Sequence, residues 1–295
     1  MINSMREIKL ITNCERPPNW LMDIAVKHWL KSGFKPENLI FLVNNISHFD
    51  MVKELKERYD IDSVRVNSAD DIYRKDQCVV WDDLEEYDYG KYHDLEAPII
   101  NKVQHTLLDK GVDVVIFLDR DELLWHESGD LLNVLNNFTE QVIRPRGVEV
   151  IQTGDEPKLN LDKSIASQRK FCRWFPSKSK ACITRIPVNW MIGRHGTLCG
   201  RWPHADSLYH PELQNHPESN IEEYDGLYLV HFDKVDMQML YNLRLESQTI
   251  FKTNDRHTGV ISEEEFTEWF TEAHREIIPD RQLYDCNDFL YKVGV

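Results

Sequence analysis

The chain has 295 residues and carries 35 Lys and Arg against 50 Asp and Glu, which gives a formal net charge of −15. Its hydrophobic fraction of 41% and charged fraction of 29% are those of an ordinary globular protein, and they exclude an intrinsically disordered chain. The acidity excludes nucleic acid as the main partner, because a polyanion is bound by a basic surface.

The longest apolar runs are too short for a membrane helix, and the first residues lack the apolar core of a signal peptide. The six cysteines include no Cys-x-x-Cys pair, so free thiols are expected rather than a zinc site or a disulfide framework. Together these patterns predict a cytoplasmic protein without a membrane span. The oligomeric state stays open.

Strand and helix patterns alternate in the first half of the chain. Apolar runs predict four strands, over residues 7–14, 38–43, 63–66 and 112–118. Helical periodicity lies between them, from Leu21 to Trp29, over 50–59 and over 97–110. This alternation predicts an α/β fold with a mostly parallel sheet, in which ligands bind beyond the carboxyl ends of the strands.

The second half of the chain alternates less cleanly. Strands are predicted over 147–152, 181–185 and 227–231, and helices over about 236–251 and from Ser262 onward. Because there is no linker rich in Gly, Ser or Pro, one catalytic domain over 1–295 is predicted. Its parts are a nucleotide-binding half, an acceptor and metal half, and C-terminal helices, over 1–125, 126–235 and 236–295.

Positive charge is concentrated in the segment 163–201, which contains nine Lys and Arg and no Asp or Glu. A local block of positive charge inside an acidic protein suits a small, multiply charged anion such as a phosphate group. The alternative is that these side chains pair with the acidic stretch 70–96.

Asp119 and Asp121 follow directly after the strongest strand pattern, residues 112–118. In an extended chain residues i and i+2 face the same side, and two adjacent carboxylates repel each other unless a cation lies between them. Mg²⁺ or Mn²⁺ would relieve this repulsion and leave sites for phosphate oxygens. The alternative is that the two aspartates only cap a turn.

The string Val115–Glu122 resembles the Asp-x-Asp motif of GT-A glycosyltransferases, and more narrowly that of the family 2-like and family 92-like (formerly DUF23) group. Those enzymes often have Phe where this chain has Leu123. Two later segments are similar to further motifs of the group: Trp190–His195 resembles Trp-x-x-Gly-x-His, and Leu229–Lys234 resembles a late His-Phe or His-Tyr motif. The resemblance covers most of residues 8–247 and implies a GT-A type, Rossmann-like sheet flanked by helices.

The resemblance implies that Asp119 and Asp121 hold a metal that bridges the diphosphate of a nucleotide-sugar donor, with His231 as a further ligand. Mn²⁺ is favoured over Mg²⁺ because an imidazole joins the carboxylates. The resemblance also implies contacts to the nucleotide base after the first strand, from Thr12, Asn13 and Glu15. Basic groups that would stabilise charge on the leaving phosphate are Lys178, Lys180 and Arg194.

Inverting transfer of a sugar to a glycan acceptor requires a general base that takes the proton of the acceptor hydroxyl. The candidates are Asp155, Glu156, Asp206 and His195, and the sequence does not decide among them. The sequence thus predicts a metal-dependent hexosyl- or pentosyltransferase that uses a UDP- or GDP-linked donor and inverts its configuration.

Two other functions are considered. A haloacid-dehalogenase-like phosphatase also places Asp-x-Asp after a hydrophobic strand, with Asp119 as nucleophile and Asp121 as acid, but it prefers Thr or Val where Leu123 stands. The other is a non-catalytic carbohydrate-binding protein that keeps the fold without turnover. Assays with nucleotide sugars and with an aryl phosphate separate these functions.

Overall fold

The computed structural model describes residues 5–13, 19–43, 57–60, 63–66, 78–81, 100–153, 156–174, 179–188, 190–191, 196–197, 221–236, 238, 283–285 and 287–295. Within these ranges the chain combines helices with a mixed sheet, so the predicted α/β class is confirmed. The chain divides into two compact units, Met1–Arg146 with Ser179–Leu229, and Gly147–Lys178 with Val230–Val295.

The strands are β1 (Ile8–Asn13), β2 (Leu39–Val43), β3 (Ser63–Val66), β4 (Cys78–Trp81), β5 (Val114–Leu118), β6 (Glu122–His126), β7 (Val142–Ile151), β8 (Phe171–Trp174), β9 (Ile183–Thr184), β10 (Trp190–Met191), β11 (Gly196–Thr197), β12 (Glu223–Lys234) and β13 (Leu283–Asp285). The helices are α1 (Asn19–Lys31), α2 (described over 100–109), α3 (Leu131–Asn137) and α4 (Asn287–Val293). Two 3₁₀ turns cover Pro36–Asn38 and Ile165–Ser167.

Six strands of the first unit and the first residues of β7 form a sheet in the order β3-β4-β2-β1-β5-β9-β7. The pairings from β3 through β5 are parallel, whereas β9 is antiparallel to both of its neighbours. In the register of β1 and β5, Thr12 lies opposite Leu118, so both strands end at the same edge. Residues that follow β1 and β5 therefore start from neighbouring positions.

The strand β5 is buried along its whole length, as expected for a strand covered on both faces of a sheet. The helix α2 covers the sheet with Val103 and Leu107, which belong to one core cluster with Phe117 and Trp190. This helix ends before Gly111, whose φ of +94° is a conformation that favours glycine. The apolar run 112–118 thus contains the strand β5, and the helical spacing over 97–110 corresponds to the helix α2, as the sequence predicts.

Polar side chains of α2 fix the segment that leads into β10. Asn101 accepts a hydrogen bond from the Trp190 backbone N–H (2.7 Å) and donates to the Trp190 carbonyl (3.0 Å). Gln104 accepts a hydrogen bond from the Val188 N–H (2.7 Å). Asn101 therefore pairs with Trp190 as a neighbouring strand would, and the buried backbone groups of this segment are satisfied.

In the second unit, β8 pairs antiparallel with β7 and with β13. The fully buried carboxylate of Glu149, on β7, forms ion pairs with Arg173 and Lys234. Buried Arg169 donates to the Val235 carbonyl (2.5 Å) and lies 3.7 Å from the Asp236 carboxylate. Paired charges of this kind avoid most of the cost of burying them singly.

The prediction that all cysteines are free thiols is wrong for Cys172, which is disulfide-bonded. Cys182 is a free, buried thiol. The helices predicted over 236–251 and from Ser262 onward lie outside the described residues, apart from short pieces. No helix in the part of the chain that the structure describes is long and apolar enough to cross a membrane.

Candidate functional site

The chain turns sharply where β5 ends. The Glu122 N–H donates to the Asp119 carbonyl (3.0 Å), which closes a turn over Asp119 to Glu122, and β6 begins at once. The extended geometry assumed for Asp119 and Asp121 is therefore wrong, because Asp121 lies within this turn. The Glu122 carboxylate accepts the Asp119 backbone N–H (2.8 Å) and so holds the turn from inside.

The Lys180 ammonium lies between two carboxylates of this turn. Its Nζ is 2.9 Å from Asp119 Oδ2 and 2.5 Å from Glu122 Oε2. The Glu122 side chain is fully buried, whereas that of Asp119 is 32% exposed, so the cluster has an inner and an outer carboxylate. The Lys180 Nζ also lies 4.8 Å from the centre of the Phe117 ring, whose face attracts a cation.

Burial shifts the pKa values of this cluster. Desolvation raises the pKa of Glu122 to about 8, with the charges of Asp119 and Asp121 acting in the same direction and Lys180 opposing them. Desolvation lowers the pKa of Lys180, but the carboxylates of Asp119 and Glu122 outweigh it, so the pKa is raised and the ammonium stays protonated. Burial also raises the pKa of the Cys182 thiol, which makes this thiol unreactive.

The carboxylates of this turn carry a surplus of negative charge. Asp119 and Asp121 together exceed the charge of Lys180 by one, and Glu122, with its pKa of about 8, adds a second negative charge only when it is ionised. Among the residues that the structure describes, no three His, Cys, Asp or Glu side chains form a ready-made cage. Mg²⁺ and Mn²⁺ sites that bind phosphates need only one or two carboxylates. Asp119 and Asp121 fit such a site.

The residues predicted to contact the nucleotide base follow β1, whose end lies beside the end of β5. Thr12 is fully buried, so its side chain belongs to the core. Asn13 ends β1, and its side chain is outside the described part of the structure, as is the whole of Glu15. The base-binding role of these residues stays a prediction.

His231 lies in β12 and is fully buried. By its contacts it belongs to the second compact unit, whereas Asp119 and Asp121 belong to the first. Its role as a metal ligand stays a prediction.

Among the predicted general bases, the structure describes Glu156. Its two carboxylate oxygens accept the backbone N–H groups of Thr153 (2.8 Å) and Lys170 (2.9 Å), so it stabilises a loop. The other predicted bases and two predicted phosphate contacts lie outside the described residues: Asp155, Asp206, His195, Lys178 and Arg194.

Several basic side chains of the segment 163–201 have partners within the protein. Arg169 approaches Asp236, Arg173 pairs with Glu149, and Lys180 joins Asp119 and Glu122. The alternative that the positive block pairs with the acidic stretch 70–96 stays untested, because the side chains of that stretch lie outside the described residues. A direct phosphate contact by Lys180 stays a prediction.

Sequence reasoning missed Glu122 as the inner member of the cluster. Its position three residues after Asp119 is the only signal in the sequence, because a carboxylate at that spacing can accept the N–H group that opens a turn. Its partner Lys180 is 61 residues from Asp119 along the chain, and no spacing rule relates them.

Comparison of the sequence with protein-family models gives no match, and comparison with curated proteins gives no match either.

Proposed function

We propose that this chain is a metal-dependent glycosyltransferase of the GT-A type, which transfers a hexosyl or pentosyl group from a UDP- or GDP-linked donor to a hydroxyl of a glycan acceptor. The observation that carries the proposal is the carboxylate turn of Asp119 and Asp121 at the end of β5, beside the end of β1. In open α/β sheets ligands bind at this edge, outside the carboxyl ends of the strands.

In this proposal Asp119 and Asp121 would hold Mn²⁺ or Mg²⁺. The metal supplies Lewis-acid stabilisation of the negative charge that develops on the leaving diphosphate. Lys180 keeps Asp119 in place, since its Nζ lies 2.9 Å from Oδ2 of that carboxylate.

Inversion requires a general base, for which Asp155, Asp206 and His195 stay candidates. Glu156 is not carried into the proposal, because both of its oxygens already accept backbone N–H groups. The cytoplasmic location stays a prediction, and the disulfide of Cys172 counts against it, because disulfides are rare in the reducing cytosol.

The test is calorimetric titration of the intact protein with UDP, GDP and CMP, in Mn²⁺ and in EDTA. One nucleoside phosphate is expected to bind in Mn²⁺ and not in EDTA, and Asp121→Asn should abolish this binding. The matched control is Asp109→Asn, which removes an exposed carboxylate at the end of α2 and should bind as the wild type does.

Binding that is equal in EDTA, or that survives Asp121→Asn, would contradict the metal-bridged site. Absence of binding together with hydrolysis of an aryl phosphate that Asp119→Asn abolishes would indicate the phosphatase instead. Absence of both activities with retained glycan binding would indicate the non-catalytic protein.

A further inference from the structure

The strand β8 presents Cys172 on one of its two faces. Arg173 faces the other side, where it pairs with the Glu149 carboxylate of the neighbouring strand β7. Because side chains alternate along a strand, Cys172 and Trp174 share the face away from this ion pair. Cys172 is buried and disulfide-bonded. The cysteine bonded to it therefore approaches β8 from this face.

The C-terminal helix α4 packs against the same face. Its Phe289 ring lies 6.1 Å from the ring of Trp174, in an edge-to-face arrangement. Two further side chains of the helix, Leu290 and Val293, are buried. The helix therefore covers the face of β8 that carries Cys172.

The register between β13 and β8 places the start of α4 close to Cys172. The two strands are antiparallel, with Tyr284 opposite Cys172 and Asp285 opposite Phe171. Cys286, which lies outside the described residues, is the one residue of the sequence between β13 and α4. A position two residues beyond a directly opposite pair lies roughly 7 Å away in a regular sheet, and between β13 and α4 the chain turns toward the face of β8. A disulfide spans Cα atoms about 4.4–6.8 Å apart, so this turn has little distance to close.

We propose that Cys172 is bonded to Cys286 and that this bond fastens the helix α4 to β8. Cys182 is a free thiol and is excluded as the partner. Cys286 is the one other cysteine in the ranges of the second compact unit, and three fall in the ranges of the first: Cys14, Cys78 and Cys199. The proposal is independent of the carboxylate turn and of glycosyl transfer.

The bond would matter most for α4 because this element is small. A helix of seven residues is not stable alone in water, and the strand β13 that leads into it has only three residues. Reduction by dithiothreitol breaks the S–S bond, leaving two thiols on the protein and the cyclic disulfide of the reagent. Without the bond, only non-covalent contacts hold the helix, so it should open more often.

Peptide mapping identifies the partner of Cys172 directly. The intact protein is unfolded with N-ethylmaleimide, which blocks free thiols, and is digested with trypsin without reductant. Because trypsin cleaves after Lys and Arg, the expected product is residues 171–173 linked to residues 282–292, and reductant should split it. The internal control is peptide 181–185, in which Cys182 should carry the maleimide.

Two matched variants and hydrogen exchange test the role of the bond. In Cys286→Ser, Cys172 should react with N-ethylmaleimide after unfolding, whereas in Cys14→Ser it should stay blocked. The amides of residues 287–295 should exchange about tenfold faster or more in Cys286→Ser than in the wild type. Reductant should produce the same increase in the wild type and no further increase in Cys286→Ser.

A peptide that links Cys172 to any other cysteine would overturn the pairing. A disulfide-linked dimer on a non-reducing gel, or a Cys172 that stays blocked in Cys286→Ser, would overturn it as well. Exchange over 287–295 that does not change on reduction would show that the bond does not fasten α4. If Cys286→Ser does not fold, the peptide map and the exchange of the wild type with and without reductant still decide both points.

Discussion

The carboxylate turn after β5 concentrates three acidic side chains beside one ammonium. Each member has a distinct position: Glu122 is fully buried, Lys180 is nearly so, and Asp119 is about one third exposed. The Glu122 carboxylate accepts the Asp119 N–H and so stabilises the turn, and the Lys180 ammonium contacts the carboxylates of Asp119 and Glu122. The geometry of Asp119 thus depends on Glu122 and Lys180.

Glu122 predicts how the stability of the metal-free protein depends on pH. Its pKa is raised in the folded state from an ordinary value of 4.5 to about 8, because burial disfavours its charge. The folded protein therefore holds this proton more tightly than the unfolded chain does. Its contribution to the free energy of unfolding is fully present below about pH 4.5 and is lost as pH rises to about 8.

In EDTA, the urea unfolding midpoint of Glu122→Gln should depend less on pH between about 4.5 and 8 than that of the wild type. Glu37→Gln, which changes an exposed carboxylate of the first 3₁₀ turn, should leave the slope as it is in the wild type. Equal slopes for wild type and Glu122→Gln would show that Glu122 is not the titrating group.

The elements that the sequence predicts are those with a local signal. The strands β1, β2, β3 and β5 coincide with the predicted apolar runs, and β7 and β12 extend the predicted ones. Strands β4, β6 and β8 were among those missed: β4 lies within the acidic stretch 70–96, β6 begins with Glu122, and β8 has four residues that include Arg173. β6 pairs with β12 and β8 pairs with β13, and no window of the sequence displays a pairing between strands so far apart.

Some features of the candidate site were also predictable from a local sequence pattern, and others were not. The position of Asp119 and Asp121 at the end of a buried strand was predictable, since it follows from the apolar run alone. The turn was not predictable, because it depends on the buried Glu122 side chain. The Lys180 contact was not predictable either, because it depends on the pairing of β9 with β5, which brings residues 179–184 beside that strand.

The stability of the protein is expected to depend on the two hydrogen bonds between Asn101 of α2 and the Trp190 backbone. Asn101→Ala removes two hydrogen bonds and leaves the buried Trp190 N–H and carbonyl unpaired, so the free energy of unfolding should fall by about 2–4 kcal/mol. Thr106→Ala on the same helix removes one partly buried hydrogen bond to the Lys102 carbonyl and should cost less than about 1 kcal/mol. Urea denaturation measures both. Equal costs would refute the strand-like role of Asn101.

Across the chain, the two compact units each contain a buried ionic cluster, one at Lys180 and one at Glu149. The described part of the second unit also contains the disulfide of Cys172. Neither feature follows from composition, because an acidic protein with scattered cysteines is compatible with free thiols and solvated charges.

The disulfide of Cys172 predicts a redox-dependent stability. Protein prepared without reductant should contain two cysteines that resist alkylation under denaturing conditions, as measured by mass, and Cys182 should not be one of them. Cys172→Ser should lower the free energy of unfolding by about 2–4 kcal/mol, and reductant should lower that of wild type but not that of the variant. Complete alkylation of the unreduced protein would contradict the bond.

In the proposed function, the turn of Asp119 and Asp121 acts on a nucleotide sugar with the help of a divalent ion. The most direct measurement is the release of free nucleoside diphosphate from a panel of UDP- and GDP-linked sugars, with Mn²⁺ or EDTA and with a glycan mixture as acceptor. Release from one donor that requires Mn²⁺ and disappears in Asp121→Asn, but not in Asp109→Asn, is the predicted result. Release that persists in EDTA or in Asp121→Asn would contradict the claim.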